Sequence, residues 1–194
     1  MKRYLYVHGC LLVAITLQGC AGTPMVLSRA DQRSLQSLQL FGPDGAPQFM
    51  LYLACTSDDG SCITVGNTFS VWAQSRQINM RSVEPGDASF HPGSTSPRRP
   101  TDVPYRLAVR FAPLVVASYN KIYSKGDTLS GGYTPPKVSY TATLYVFDAA
   151  TGRLLQGVPA HEERTADFRA DATGYIRAEV NGFIAGIDPT QRRH

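Results

Sequence analysis

The sequence predicts an α+β fold: an antiparallel sheet with a C-terminal amphipathic helix packed on one face. Three observations carry this. Residues 138–147 alternate without a break, with Val138, Tyr140, Ala142, Leu144 and Val146 on one side and Ser139, Thr141, Thr143, Tyr145 and Phe147 on the other. Asp148-Ala149-Ala150-Thr151-Gly152 then turns the chain into a returning strand over 153–158, with Gly152 suited to a left-handed position. Finally, Ala172, Tyr175, Ile176, Val180, Phe183, Ile184 and Ile187 recur at three- and four-residue spacings, the mark of a helix with one apolar face.

At the N-terminus, Lys2 and Arg3 precede a mainly apolar run, Tyr4 to Leu17, too short to cross a bilayer comfortably. The run ends in Leu17-Gln18-Gly19-Cys20. This order resembles the signal peptide and lipobox of bacterial lipoproteins. Gln18 stands where that family commonly has a small residue. The resemblance implies removal of residues 1–19, lipidation of Cys20 and a membrane partner through the attached acyl chains. One acyl chain holds a protein only marginally, whereas several hold it firmly. Ala21 follows where inner-membrane retention would show Asp, which implies the outer membrane, with the protein facing the periplasm.

Cleavage would leave 17 basic against 15 acidic side chains, a balance too small to imply a nucleic-acid partner. Residues 20–33 read as a tether and 34–194 as a single domain. Residues 35–41 fit a strand or a short helix. Gly42-Pro43-Asp44-Gly45 is a turn signal, and 48–55 reads as a buried strand. Cys55 and Cys62 flank a turn-forming segment; in an oxidising compartment they are expected to pair as a disulfide.

Residues 67–77 carry Phe69, Trp72, Ala73 and Arg76 at helical spacing, with Asn67 as a cap. Phe69, Val71 and Ala73 also fit a strand. A strand follows at 78–83. Residues 84–104, rich in Pro, Gly and Ser, read as a long exposed loop. Tyr105, Leu107, Val109 and Phe111 mark the next strand, over 105–118, with Pro113 expected at an edge or bend. Residues 119–137, punctuated by Gly131-Gly132 and Pro135-Pro136, read as a second loop. Asp171 is placed to cap the final helix and Pro189 to stop it. The hairpin and late helix, residues 138–187, resemble small periplasmic α/β lipoproteins of the curli-secretion and exopolysaccharide-secretion type, which implies an accessory role beside another envelope protein.

Catalytic patterns are scarce. Gly126-Asp127-Thr128-Leu129 is similar to the first block of GDSL-type hydrolases, but Thr128 occupies the nucleophile's place and the late Asp-x-x-His pair is missing. His161-Glu162-Glu163-Arg164 is the densest ionisable cluster; a polar connector is the simpler reading, acid–base work the sharper one. No cofactor is expected, and the scattered His91, His161 and His194 do not make a metal site. Tyr119, Tyr123 and Tyr133, interleaved with Lys121 and Lys125, form the candidate binding loop. The leading expectation is a lipid-anchored, non-catalytic binding or assembly module. The alternatives are an envelope hydrolase acting through His161 and a structural lipoprotein without a discrete ligand.

Overall fold

The alternation and helical spacing assemble, in the computed structural model, into a five-stranded sheet covered by helices on one face. The structure describes residues 27–57, 60–94, 103–116, 119–125, 128–134, 137–165 and 172–193. The elements are α1 (Arg29–Ser37), β1 (Phe49–Cys55), α2 (Ser61–Ser75), β2 (Met80–Ser82), β3 (Tyr105–Val116), β4 (Tyr119–Lys125), β5 (Thr128–Thr134), β6 (Lys137–Asp148), β7 (Leu154–Thr165) and α3 (Ala172–Ile187). Short 3-10 turns lie at Ala88–Phe90 and Pro189–Arg193. No helix among the described residues is long and apolar enough to cross a membrane.

The α+β class and the packing of α3 on the sheet are as expected. The sheet is mixed, however, rather than wholly antiparallel. Its order is β2-β1-β3-β6-β7, antiparallel across β3-β6-β7 and parallel where β1 meets β2 and β3. The reason is the connection: β1 reaches β2 through α2, and a crossover carried by a helix sets two strands parallel.

The core lies between the sheet and the helices. Leu51, Leu107, Val109, Leu144, Val146 and Val158 meet Val65 and Phe69 of α2 and Val180 and Phe183 of α3, all 0 % exposed. Phe69, Phe111 and Phe183 pack edge-to-face with centroids 6.0–6.3 Å apart. Each such fully buried side chain contributes about 1.5–3 kcal/mol relative to exposure.

Several boundaries differ from expectation. Residues 29–37 form α1, so the helix begins inside the segment read as tether; Ser28 caps it by accepting from the Asp31 N–H at 3.1 Å. The helix expected over 67–77 starts six residues earlier, at Ser61, so Asn67 lies mid-helix rather than at a cap. The strand expected over 78–83 shortens to 80–82. Pro113 sits in β3 opposite Tyr140, just past the last β1–β3 pair, Cys55 with Phe111. Its missing N–H therefore breaks no ladder bond, so the edge reading holds locally.

At the end of the sheet where β3 begins, Asp188 ties the helices together. Its buried carboxylate accepts from Trp72 Nε1 at 3.0 Å and pairs with Arg76 Nε at 3.0 Å. Arg76 also donates to the Gly45 carbonyl and lies over the Phe41 ring.

Candidate binding surface

The segment 119–137, read from sequence as a loop, forms two paired strands. Val116 pairs with Lys137 and Tyr119 with Thr134, so the β3–β6 register continues unchanged into β4–β5. The ladder runs on to Lys125 opposite Thr128. No third strand flanks β4 or β5 among the described residues. β7 ends its pairing at Thr165 opposite Lys137, and β1 at Cys55 opposite Phe111. A seven-residue arm, about 23 Å long at strand rise, thus follows in the same register as a separate two-stranded sheet. Its two outer edges are rows of backbone donors and acceptors of the kind that another chain can pair with. The two strands carry Lys121 and Lys125 and no acidic residue.

The three candidate tyrosines lie on this arm. The register sets Tyr119 opposite Thr134, Tyr123 opposite Ser130 and Tyr133 opposite Asn120. Tyr119 and Tyr123 therefore share one strand parity and Tyr133 takes the other.

Below the arm, the sheet face away from the helices is partly open. Ala112, Leu114, Ser139, Thr141, His161 and Glu163 line a cavity of about 520 Å³. Leu114 is 56 % exposed there. Lys137 Nζ donates to Glu163 Oε1 at 2.6 Å, and this bond holds the Glu163 carboxyl below its ordinary range. His161 stands opposite Thr141 in the ladder, and its Nδ1 lies 3.1 Å from the Tyr140 carbonyl. His161 and Glu162 are thus in a strand rather than on a connector, because β7 runs seven residues beyond the expected return strand. Among the described residues no three His, Cys, Asp or Glu side chains converge in a way that would hold a metal ion.

The rest of that face is covered by a strap, residues 83–94. This corrects the reading of 84–104 as exposed loop for its first half. Phe90 is buried at 4 % and clusters with Tyr52, Ala108 and Phe147. Two arginines of β3 fix the strap. Arg110 donates to the Pro85 carbonyl at 2.8 Å and lies over Phe90; Arg106 donates to the Ser94 and His91 carbonyls and lies over Phe147. Burial lowers the Arg106 pKa, and donation to two carbonyls and an aromatic face compensates for its lost water. Gly93 approaches Gly152 so closely that a Cβ at Gly152 would meet it at 3.1 Å.

Cys55 and Cys62 are bonded, with Cα atoms 5.6 Å apart. The bond joins the end of β1 to the first turn of α2. Cys20, Asp171 and His194 lie outside the described residues, as does the Gly126-Asp127 pair. A second groove, about 540 Å³, runs between α2 and α3. Asn67, Thr68, Val71, Arg177, Asn181 and Gln191 line it. The apolar stripes of the two helices signalled their buried sides and left this outer seam unmarked.

No protein-family model matches the chain, and no curated protein matches it. Among solved structures it is similar to the PelC dodecamer from Paraburkholderia phytofirmans, at 12 % identity and a TM-score of 0.41, over 76 % of this chain and 93 % of that one. A putative neuraminyllactose-binding hemagglutinin homolog from Helicobacter pylori gives 8 % identity and a TM-score of 0.41, over 74 % and 86 %. A minor lipoprotein from Acinetobacter baumannii gives 10 % and 0.25, over 73 % and 87 %. At such identities and scores these likenesses carry no weight for function.

Proposed function

We propose that this chain is a lipid-anchored cell-envelope protein that works by binding, as an accessory module of an envelope assembly or secretion system, with the β4–β5 arm as its contact element. One observation carries the reading: a β-ribbon that keeps its register past the end of the sheet and has no flanking strand among the described residues. Unpaired strand edges are costly hazards for a soluble protein unless blunted or used. Pairing with a partner strand gives affinity through backbone hydrogen bonds, while side chains such as Tyr119, Tyr123 and Tyr133 give specificity. The lipobox-like run ending in Cys20 supports the anchor, and the outer membrane facing the periplasm is the address that Ala21 supports.

The experiment has two parts. Cys20→Ala should abolish palmitate incorporation and leave precursor unprocessed; efficient labelling of that variant rejects the anchor. Excising 119–134 and closing the ribbon with a two-residue turn should leave folding intact and abolish capture of the partner, with Tyr123→Ala and Tyr133→Ala weakening it. Full capture by the excised chain rejects the arm as the contact element.

A further inference from the structure

The two ends of the described chain meet at one end of the sheet, opposite the arm. Leu27, 1 % exposed, packs on the last turn of α3; a Cβ at Gly186 would collide with its side chain at 2.6 Å. Ser34 of α1 donates to Gln156 of β7 at 2.7 Å, beside the turn that opens at Asp148. The 3-10 turn Pro189–Arg193 follows α3 directly. β3 starts at this end and runs away from it into the arm.

This end is basic. Arg29 and Arg33 are exposed and one helical turn apart on α1. Arg192 and Arg193 lie in the final turn, and Arg153 is exposed in the hairpin. The acids nearby are fewer: Asp31 accepts from the Ser28 hydroxyl, Asp44 from the Ala46 N–H, and Asp148 from the Ala150 and Thr151 N–H groups; hydrogen bonding leaves a carboxylate its charge, so these three offset only part of the five arginines. Asp188 is buried in its pair with Arg76.

The tether sets the distance. Seven peptide steps separate Cys20 from Leu27, a reach of at most ~25 Å. An anchor at Cys20 therefore confines this basic end to the neighbourhood of the leaflet. There even modest attraction acts at high effective concentration. We infer that the protein docks on an anionic phospholipid leaflet through α1 and the Pro189–Arg193 turn, with the β4–β5 arm directed away from the membrane. The inference rests on the anchor in the proposed function and adds an orientation that the anchor alone does not impose. Each arginine held at an anionic surface biases the docked state roughly five-fold, and screening by salt within a Debye length removes the effect.

The test uses full-length acylated protein in vesicles of phosphatidylcholine, alone or mixed with phosphatidylglycerol. A donor dye is placed at Gln36→Cys or at Ser130→Cys, and an acceptor is carried on lipid headgroups. Energy transfer from position 36 should rise several-fold on the anionic vesicles and fall to the neutral-vesicle value in high salt. Transfer from position 130 should stay low on both. Arg29→Glu with Arg33→Glu, and separately Arg192→Glu with Arg193→Glu, should each lose most of the rise, with circular dichroism checking that the fold is kept. Equal transfer from position 36 on both vesicle types, or a rise that survives both charge reversals, overturns the docking while leaving the anchor standing. Failure to float with neutral vesicles would remove the anchor and the docking together.

Discussion

Replacing Asp188 by Ala removes an acceptor on which the ends of α2 and α3 converge. The carboxylate takes the indole N–H of Trp72 and the Arg76 guanidinium on Oδ2, and the Thr190 N–H and hydroxyl on Oδ1, at 2.7–3.0 Å. Its side chain has no exposure. The Arg76 Nε contact is an ion pair at 3.0 Å whose N–H is not aligned as a hydrogen bond, so its value is chiefly Coulombic. Breaking a buried pair by deleting one partner costs about 3–5 kcal/mol. Arg76 keeps the Gly45 carbonyl and the Phe41 face, and its side chain is 21 % exposed, so water relieves part of the loss. The orphaned indole N–H pulls the other way, which places the expected cost at about 3–4 kcal/mol. For a domain of this size that lowers the melting temperature by roughly 10 °C. Trp72 is the only tryptophan, so its fluorescence reports the perturbed spot directly during thermal or urea unfolding. Asp188→Asn, which retains an acceptor oxygen, should fall between the two. A melting temperature within roughly 2 °C of the unmutated chain for Asp188→Ala would refute the reasoning.

Other outcomes follow from the same packing. Phe183→Ala, at a fully buried position facing Phe69 and Phe111, should cost about 3–5 kcal/mol by urea unfolding. Phe90→Ala should cost about 3 kcal/mol and raise amide exchange across 83–94, because Phe90 is the strap's buried anchor; unchanged exchange would mean that the strap does not depend on it. Removing residues 90–100 should therefore destabilise the fold, contrary to what a free loop would allow. The Asp148 carboxyl is held below its ordinary range first by the Thr151 N–H, then by the Thr151 hydroxyl. Its support of the hairpin is present above the unfolded-state carboxylate range and lost as pH falls through the lower folded value. Asp148→Asn should thus be less stable at neutral pH and converge with the unmutated chain in acid; a gap that does not narrow would contradict the assignment.

The β6–β7 hairpin and α3 were legible because their signals are local. Alternation marked β6 to within a residue at each end, and Gly152 does take a left-handed φ of 69°. The stripe Ile176, Val180, Phe183, Ile184 and Ile187 is buried as read, though Glu179, buried beside it at 4 %, was invisible to an apolar count. The early start of α2 was hidden by Ile63, Thr64 and Val65, β-branched residues that blur the helical period. The strap was missed because its attachment is non-local: Arg106 and Arg110 reach it from β3, and no spacing within 83–94 announces that. The arm differs from the loop its sequence suggests for a related reason. Gly131-Gly132 and Pro135-Pro136 are loop punctuation taken alone, yet Gly131 and Gly132 pair with Ile122 and Lys121, and β4–β5 keeps the β3–β6 register. The candidate tyrosines were found, but as loop residues rather than as positions on two paired strands.

The arm's role as contact element is tested most directly by photo-crosslinking in intact cells. A photoreactive residue is placed in turn at Tyr123 and Ser130 on the arm, at Val71 on the outer face of α2, and at Gln36 on α1, in a chain that keeps Cys20. If the arm is the contact element, positions 123 and 130 give one discrete protein adduct, absent from 71, while position 36 labels lipid. Adducts from position 71 with none from either arm position would contradict it.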